Sequence, residues 1–280
     1  MILDGKKLKE KKLNILKEET SKLDKKLTLC VIQVGEDTAS EIYVNQKKKM
    51  ADFVGFAFKH IKLKNDISED YLLNIIDKEN KDDKTTGIIV QMPLPSHINE
   101  TKIQNAIDYN KDIDGLSDIN TGRLVHNRKA LISCTPKGIL ELLKEYNIKI
   151  ESKHVVIVGR SNLVGKPLVN LFLNKNATVT ICHSKTKNLK DYTITADILI
   201  SAVGKKNLIT KDMVKQNAVV IDVGITRENN KLYGDVDFDN VSNKASYITP
   251  VPGGVGPMTV TELGYNVLEA YQLRSDANEW

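Results

Sequence analysis

Ser40, Tyr43 and Lys47 are spaced i, i+3 and i+7, so on a helix they share one face. A tyrosine one turn from a lysine has two uses: the ring stacks on a flat substrate, and the ammonium donates to, or takes a proton from, the reacting atom. Lysine takes a proton near neutral pH only where burial or a second cation lowers its pKa. The spacing also occurs on helices that do no chemistry, and the adjacent Lys48 and Lys49 read as solvated. Gln91 ends an apolar run just before Met92-Pro93-Leu94-Pro95. Its amide can fix a lysine head group through the oxygen, or it can simply tie down the proline corner. Asp114, in Asp112-Ile113-Asp114-Gly115, is either a turn aspartate or a carboxylate facing a heterocycle with paired N–H donors. The turn reading fits Asp112 equally.

A second group of candidates lies in His154 to Leu168. Four β-branched residues, Val155 to Val158, run into Gly159, a polar turn, and Gly165 at the head of an apolar-periodic segment. This reads as a buried strand feeding a helix through a glycine turn. Such a turn can seat a dinucleotide pyrophosphate on backbone N–H groups at the helix start, or be an ordinary α/β turn. The spacing is not the G-x-G-x-x-G fingerprint. The next strand, Thr178 to Cys182, ends in His183-Ser184-Lys185, where an NAD-binding fold usually carries an acid for the ribose 2′-hydroxyl. No acid stands there. Arg160, Ser184 and Lys185 instead suit a 2′-phosphate, so the expected dinucleotide is NADP rather than NAD. Near the C-terminus, Pro252-Gly253-Gly254-Val255-Gly256-Pro257 reads as a rigid ligand-facing loop.

The elements needed to position these residues follow from the pattern. Strands at 27–34, 56–63 and 87–91 alternate with helices at 4–24, 38–54, one opened by the Asp66 to Asp70 capping pattern, and 100–107. The 38–54 helix is expected to bury Ala39, Ile42, Met50 and Phe53. Later strands are expected at 197–201, 218–222 and 247–249, with helices at 138–146 and from Thr259 to about Leu273. Strand–helix alternation of this kind argues for parallel sheets covered on both faces. The chain has 280 residues, enough for one large or two smaller domains, and two is the expectation. With 41 Lys and Arg against 36 Asp and Glu, and 5% aromatics, the basic excess is too slight and too mixed for a nucleic-acid footprint. The start lacks an apolar signal region and no run approaches membrane-spanning length, so no membrane and a cytoplasmic location are expected. Cys30, Cys134 and Cys182 lack metal spacing and read as reduced core thiols; no metal is expected.

Six motifs in order resemble one family. They are S-x-x-Y-x-x-x-K (Ser40, Tyr43, Lys47), Q-M-P-L-P (91–95), D-I-D-G (112–115), C-T-P-K-G (134–138), V-G-R-S-x-x-V-G-x-P (158–167) and P-G-G-V-G-P-M-T (252–259). The pattern spans the chain and resembles the bifunctional methylenetetrahydrofolate dehydrogenase/cyclohydrolases. The resemblance implies an α/β protein of two α/β domains with a cleft between them, the C-terminal one a Rossmann-like NADP-binding domain. It assigns 1–120 to a catalytic, folate-binding domain, to which the helix of 257–280 returns, and 121–256 to the NADP domain. Lys47 is then the acid/base residue, with Tyr43 against the folate, Gln91 tuning Lys47, and Met92, Pro93 and Asp114 on the substrate. Pro252, Gly253, Gly254, Val255 and Gly256 line the folate side, and Gly159, Arg160, Ser161, Ser184 and Ile225 bind NADP. The implied reaction is NADP-dependent oxidation of 5,10-methylenetetrahydrofolate followed by hydrolysis to 10-formyltetrahydrofolate, a step of one-carbon metabolism serving purine biosynthesis, in a homodimer. The alternatives are one of the two activities alone, or another two-domain NADP-linked dehydrogenase.

Overall fold

A computed structural model describes residues 1–229 and 231–277, with all their side chains except those of Ala39, Asp276 and Ala277. In chain order the main elements are α1 (Gly5–Ser21), β1 (Thr28–Val34), α2 (Thr38–Val54), β2 (Ala57–Leu63), α3 (Glu69–Lys81), β3 (Gly87–Gln91), α4 (Glu100–Ala106), α5 (Asp118–Val125) and α6 (Cys134–Glu145). There follow β4 (His154–Val158), α7 (Gly165–Leu173), β5 (Thr178–Cys182), α8 (Leu189–Thr193), β6 (Ile198–Ser201), β7 (Val219–Asp222), β8 (Thr226–Glu228), β9 (Lys231–Tyr233), α9 (Phe238–Val241), β10 (Tyr247–Ile248) and α10 (Val255–Ala277). The chain divides into two units by its contacts: Lys11–Cys134 with the chain from Val260 onward, and Met1–Glu10 with Thr135–Thr259.

In the first unit the sheet order is β2-β1-β3, all parallel. Strand periodicity sends alternate residues of β1 to opposite faces. Leu29 and Val31 pack with Leu16, Val44, Val54, Leu263 and Val267, whereas Cys30, Ile32 and Val34 pack with Leu72, Ile76 and Ile103. Both faces of β1 and β3 are covered, which is why these two strands read as continuous apolar runs, whereas the edge strand β2 (AFKHIKL) does not. Ser68 caps α3 by accepting from the Tyr71 N–H at 3.1 Å, as the capping pattern predicts. The buried face of α2 differs from the expected stripe. Ser40, Val44, Met50, Ala51 and Val54 turn inward, while Ile42 and Phe53 are 49% and 43% exposed; the Ala39 side chain lies outside the described residues. Positions 40, 44, 47, 51 and 54 follow the helical repeat, and so Lys47 is carried into the partly buried row while Tyr43 stays outside it.

The second unit holds a five-stranded parallel sheet of order β10-β7-β6-β4-β5. The chain passes from β4 to the edge at β5, then crosses back to β6, so its direction of travel reverses between β4 and β6. Open α/β sheets bind ligands at such a switch point, beyond the carboxyl ends of the strands. Met1–Glu10 joins this unit rather than following the expected grouping of 1–120. The Leu3 N–H donates to the Ile248 carbonyl at 2.9 Å, the Ile248 N–H to the Met1 carbonyl at 3.0 Å, and Leu3 and Leu8 are core residues here. The division along the chain falls at 134/135, where the sequence reading put it at 120/121. Cys30, Cys134 and Cys182 are buried free thiols.

Candidate active site

In the first unit, α2 and the end of β3 bring Lys47 and Gln91 together. Lys47 Nζ donates to Gln91 Oε1 at 2.5 Å, and Gln91 Nε2 donates to the Met92 carbonyl at 2.7 Å. With its nitrogen committed to that carbonyl, the amide can offer Lys47 only its oxygen. Both sequence readings of Gln91 therefore hold at once. Ser40 Oγ donates to the same Met92 carbonyl at 3.3 Å, tying the start of α2 to the corner. The Met92–Pro93 peptide is cis, and the Pro93 side chain is exposed.

The two aspartates that the sequence leaves equivalent are separated by their hydrogen bonds. Asp112 is the turn aspartate: its carboxylate accepts from the Gly115 N–H (3.1 Å), the Ser117 N–H (2.8 Å) and Asn120 Nδ2 (3.1 Å). Among the described residues Asp114 has no hydrogen-bond partner for its carboxylate, and it faces Lys47. Burial pushes Asp114 up to about 6, with the Lys47 charge opposing and the Asp112 charge adding. Lys47 is pushed below the usual lysine range by burial, against the pull of Asp114 and of Cys134. A lysine so placed gives up a proton more readily than a solvated one, the property that acid/base chemistry requires. The Tyr43 ring, one turn away, is 52% exposed and open to a stacking partner.

In the second unit, Gly159 follows β4 with φ 121°, and a Cβ there would stand 2.5 Å from the Ala202 carbonyl oxygen at the end of β6. A Cβ on Gly165 would stand 2.1 Å from the Gly159 carbonyl oxygen. Both glycines are required by close backbone approach at the switch point. The start of α7 is partly self-satisfied, because Ser161 Oγ accepts from the N–H groups of Val164 and Gly165 at 3.2 and 3.4 Å. The Gly159 N–H donates to the Cys182 carbonyl at 2.8 Å, so the residues after β4 and β5 emerge side by side. This brings Arg160 beside the Ser184 and Lys185 turn; all three are exposed, and among the described residues their side chains make no hydrogen bond or ion pair within the protein. Two side-chain cations and a hydroxyl with no carboxylate among them fit the 2′-phosphate of NADP. Ile225, past β7, is 53% exposed at the same end of the sheet.

Residues 3–114 match the family described as tetrahydrofolate dehydrogenase/cyclohydrolase, catalytic domain, and residues 133–275 match its NAD(P)-binding domain. The bifunctional protein FolD of Clostridium novyi is 52% identical over 271 residues, covering 95% of this chain and 98% of its own. The chain belongs to the tetrahydrofolate dehydrogenase/cyclohydrolase family. Its fold agrees with that of the bifunctional FolD enzyme of Campylobacter jejuni at a TM-score of 0.96 and 44% identity, over 98% of this chain and 99% of the other. The Trypanosoma brucei enzyme, solved with NADP cofactor and inhibitor, superimposes with a TM-score of 0.93 at 34% identity over 98% of both chains. The expectation of two α/β domains, the C-terminal one NAD(P)-binding, is borne out.

Two buried aspartates that no sequence spacing marks, Asp235 and Asp222, order the loops of the second unit. Asp235, fully buried, accepts from Ser201 Oγ (2.8 Å) and from the N–H groups of Val203 and Lys205 (both 2.7 Å), and so shapes the loop after β6. Asp222 in turn accepts from the N–H groups of Asp235 and Val236, each at 2.9 Å. The Pro252 loop differs from its expected form. The helix α10 starts at Val255, Pro257 stands in its first turn, and the Val255 side chain is 3% exposed within the core. Gly253 and Gly254 are also buried, and the Gly253 carbonyl accepts from the N–H groups of Gly5 and Lys6 at 3.0 and 3.2 Å. Pro252 and Gly256 are the exposed members of the stretch. Among the described residues no group of His, Cys, Asp and Glu is placed to hold a metal ion, and no helix is long and apolar enough to cross a membrane.

Proposed function

We propose that this enzyme oxidises 5,10-methylenetetrahydrofolate with NADP+ and hydrolyses the resulting 5,10-methenyltetrahydrofolate to 10-formyltetrahydrofolate. The observation that carries the reading is the Lys47 ammonium held 2.5 Å from Gln91 and facing Asp114 in a partly buried setting. Bound NADP+ supplies the hydride acceptor. On the dinucleotide side, Arg160, Ser184 and Lys185 hold the 2′-phosphate, the Gly159 and Ser161 turn lets the backbone approach the ligand, and Ile225 offers an apolar surface to it. On the folate side, Tyr43 stacks on the flat ring system, the Met92 and Pro93 corner borders it, and Asp114 accepts from paired N–H groups of the pterin.

In the hydrolytic step water adds to the methenyl carbon and the adduct loses one proton to leave a hydroxyl; the hydroxyl gives up the second proton as the bond to N5 breaks and N5 takes one up, with one proton released overall. Water's oxygen becomes the formyl oxygen. Lys47 is the group placed to move the proton, with Gln91 fixing its direction and Asp114 balancing its charge. The formyl product serves one-carbon transfer in purine biosynthesis. The protein acts in the cytoplasm as a homodimer formed through the second unit. Among the described residues of that unit β5 is an edge strand paired with β4, and Ile181 on it, with Leu173, Tyr192 and Ile194 nearby in the chain, is exposed.

The test follows reduced nicotinamide and methenyl product separately, with NADP+ or NAD+ as acceptor. NADPH formation without methenyl accumulation, and slow turnover with NAD+, is the expected result. Accumulating methenyl would leave a dehydrogenase alone. For Arg160→Ala, NADP+ binding weakens roughly 10- to 100-fold, as for loss of a charged hydrogen bond, with NAD+ binding little changed. Equal losses for both dinucleotides would refute the 2′-phosphate assignment.

A further inference from the structure

Among the described residues nothing hydrogen-bonds the Asp114 carboxylate, so its direction rests on the backbone on either side of it. Behind it, Asp112 closes the turn through the Gly115 and Ser117 N–H groups. Ahead of that turn the peptide carbonyl of Ile113, whose plane sets the course of the chain into Asp114, is held by a side chain distant in sequence. Asn266 on α10 is fully buried, and its Nδ2 donates to the Ile113 carbonyl and to the Ile132 carbonyl, each at 2.8 Å. Two carbonyls facing one amide nitrogen use both of its hydrogens.

The second carbonyl belongs to the segment that presses on the same turn. A Cβ on Gly115, at φ 68°, would stand 2.6 Å from the Ile132 carbonyl carbon and the Ser133 nitrogen. Two segments of chain therefore meet beside Asp114 with no side chain between them, and Asn266 joins them. Cys134 completes the contact, its Sγ 3.6 Å from both the Ile113 carbonyl oxygen and Asn266 Nδ2. Asn266 lies within the stretch that matches the NAD(P)-binding domain, yet by its contacts it belongs to the unit that carries Lys47.

We propose that Asn266 is a positioning residue for the cyclohydrolase step: its buried amide clamps the Ile113 and Ile132 carbonyls and thereby sets where the Asp114 carboxylate stands relative to Lys47. The inference rests on the roles given above to Lys47 and Asp114. It separates Asn266 from an ordinary core amide, because its removal must act through Asp114.

The experiment is a double-mutant cycle on methenyltetrahydrofolate hydrolysis, using Asn266→Ala, Asp114→Asn and the pair, with kcat and KM measured across pH. Asn266→Ala is expected to lower kcat/KM by about 10- to 30-fold and to move the acidic limb of the pH profile, while NADP+ binding stays within twofold of the parent. In the Asp114→Asn background the same substitution is expected to cost less than threefold. Asn266→Ser retains one donor and is expected to fall between parent and Asn266→Ala; it also serves as the probe if the alanine variant does not fold. Equal losses in the two backgrounds, or an unchanged pH limb, overturn the clamp. Full activity of Asn266→Ala beside an impaired Asp114→Asn overturns the clamp alone. An Asp114→Asn enzyme as active as the parent overturns the Lys47–Asp114 reading and the clamp with it.

Discussion

Asp112 and Asp114 show how two identical side chains two residues apart take up separate work. Asp112 is engaged by three donors of the turn it closes, whereas among the described residues Asp114 has no protein donor and interacts with the Lys47 charge. The consequence is a pH dependence with a definite sign. Burial raises Asp114 to about 6, so it is charged above that pH and neutral below it. On the proposed roles, protonation below about 6 removes both the acceptor for a pterin N–H pair and the counter-charge of Lys47, and kcat/KM for folate is expected to fall. Asp114→Asn is expected to lack this acidic limb as well as to lower the plateau; a limb near pH 6 surviving in that variant would assign it to another group. The sequence made Lys47, Gln91 and Asp114 legible as candidates through their residue types. It could not show which aspartate was free, because that depends on hydrogen bonds closed by Ser117 and Asn120 further along the chain.

Elements carried by apolar runs were the most legible. The strands β1, β3, β4 and β7 are buried on both faces, and their sequences say so without periodicity. Ile42 and Phe53 do not mark the inward face of α2, because that row includes Ser40 and Lys47, polar residues that turn in to make hydrogen bonds. The apolar pattern does not mark α5: Ile119 and Val125 are half exposed, and its clear start signal is Ser117, whose Oγ accepts from the Asn120 N–H at 3.4 Å. The β8–β9 hairpin is likewise unmarked, since three-residue strands leave too short a pattern. The glycine turn gives a prediction at this scale. Gly165→Ala puts a methyl 2.1 Å from the Gly159 carbonyl oxygen, so the first turn of α7 has to move. A loss of about 1–3 kcal/mol in stability together with weaker NADP+ binding is expected from overpacking against backbone. Gly122→Ala on α5 meets open space and is expected to gain about 0.5–1 kcal/mol from helix propensity. Calorimetry that ranked the two variants the other way would contradict the close-approach account.

At the scale of the whole chain, each unit buries a carboxylate with its pKa raised. In the second unit burial pushes Asp222 up to about 7, with the Asp235 charge adding and the N–H groups of Val236, Asp235 and Gly224 opposing. An acid whose folded pKa lies above its unfolded value binds more protons folded than unfolded, so its contribution to stability is present at low pH and declines as pH rises from about 4 to about 7. Linkage caps the slope at about 1.4 kcal/mol per pH unit for one proton. Asp222→Asn is expected to flatten the stability profile between pH 5 and 7, measured by chemical denaturation. A slope identical to that of the parent would mean that Asp222 is ionised in the fold. Long-range pairing of this kind, like the contact of Asn266 with carbonyls 153 and 134 residues away, leaves no local trace in the sequence. Composition and motif order reached the family and the fold, while the division at 134/135 and the attachment of Met1–Glu10 to the second sheet depended on contacts between distant segments.

On the proposed mechanism Lys47 moves the proton in methenyl hydrolysis while contributing little to holding the folate. The most direct measurement is Lys47→Met, with the hydrolysis rate followed by loss of methenyltetrahydrofolate and folate binding followed by calorimetry on the same preparation. A fall in hydrolysis of at least about 100-fold is expected, the lower range for a lost general acid/base, with folate affinity changed by less than about tenfold. Hydrolysis retained near the parent rate with folate bound would contradict it.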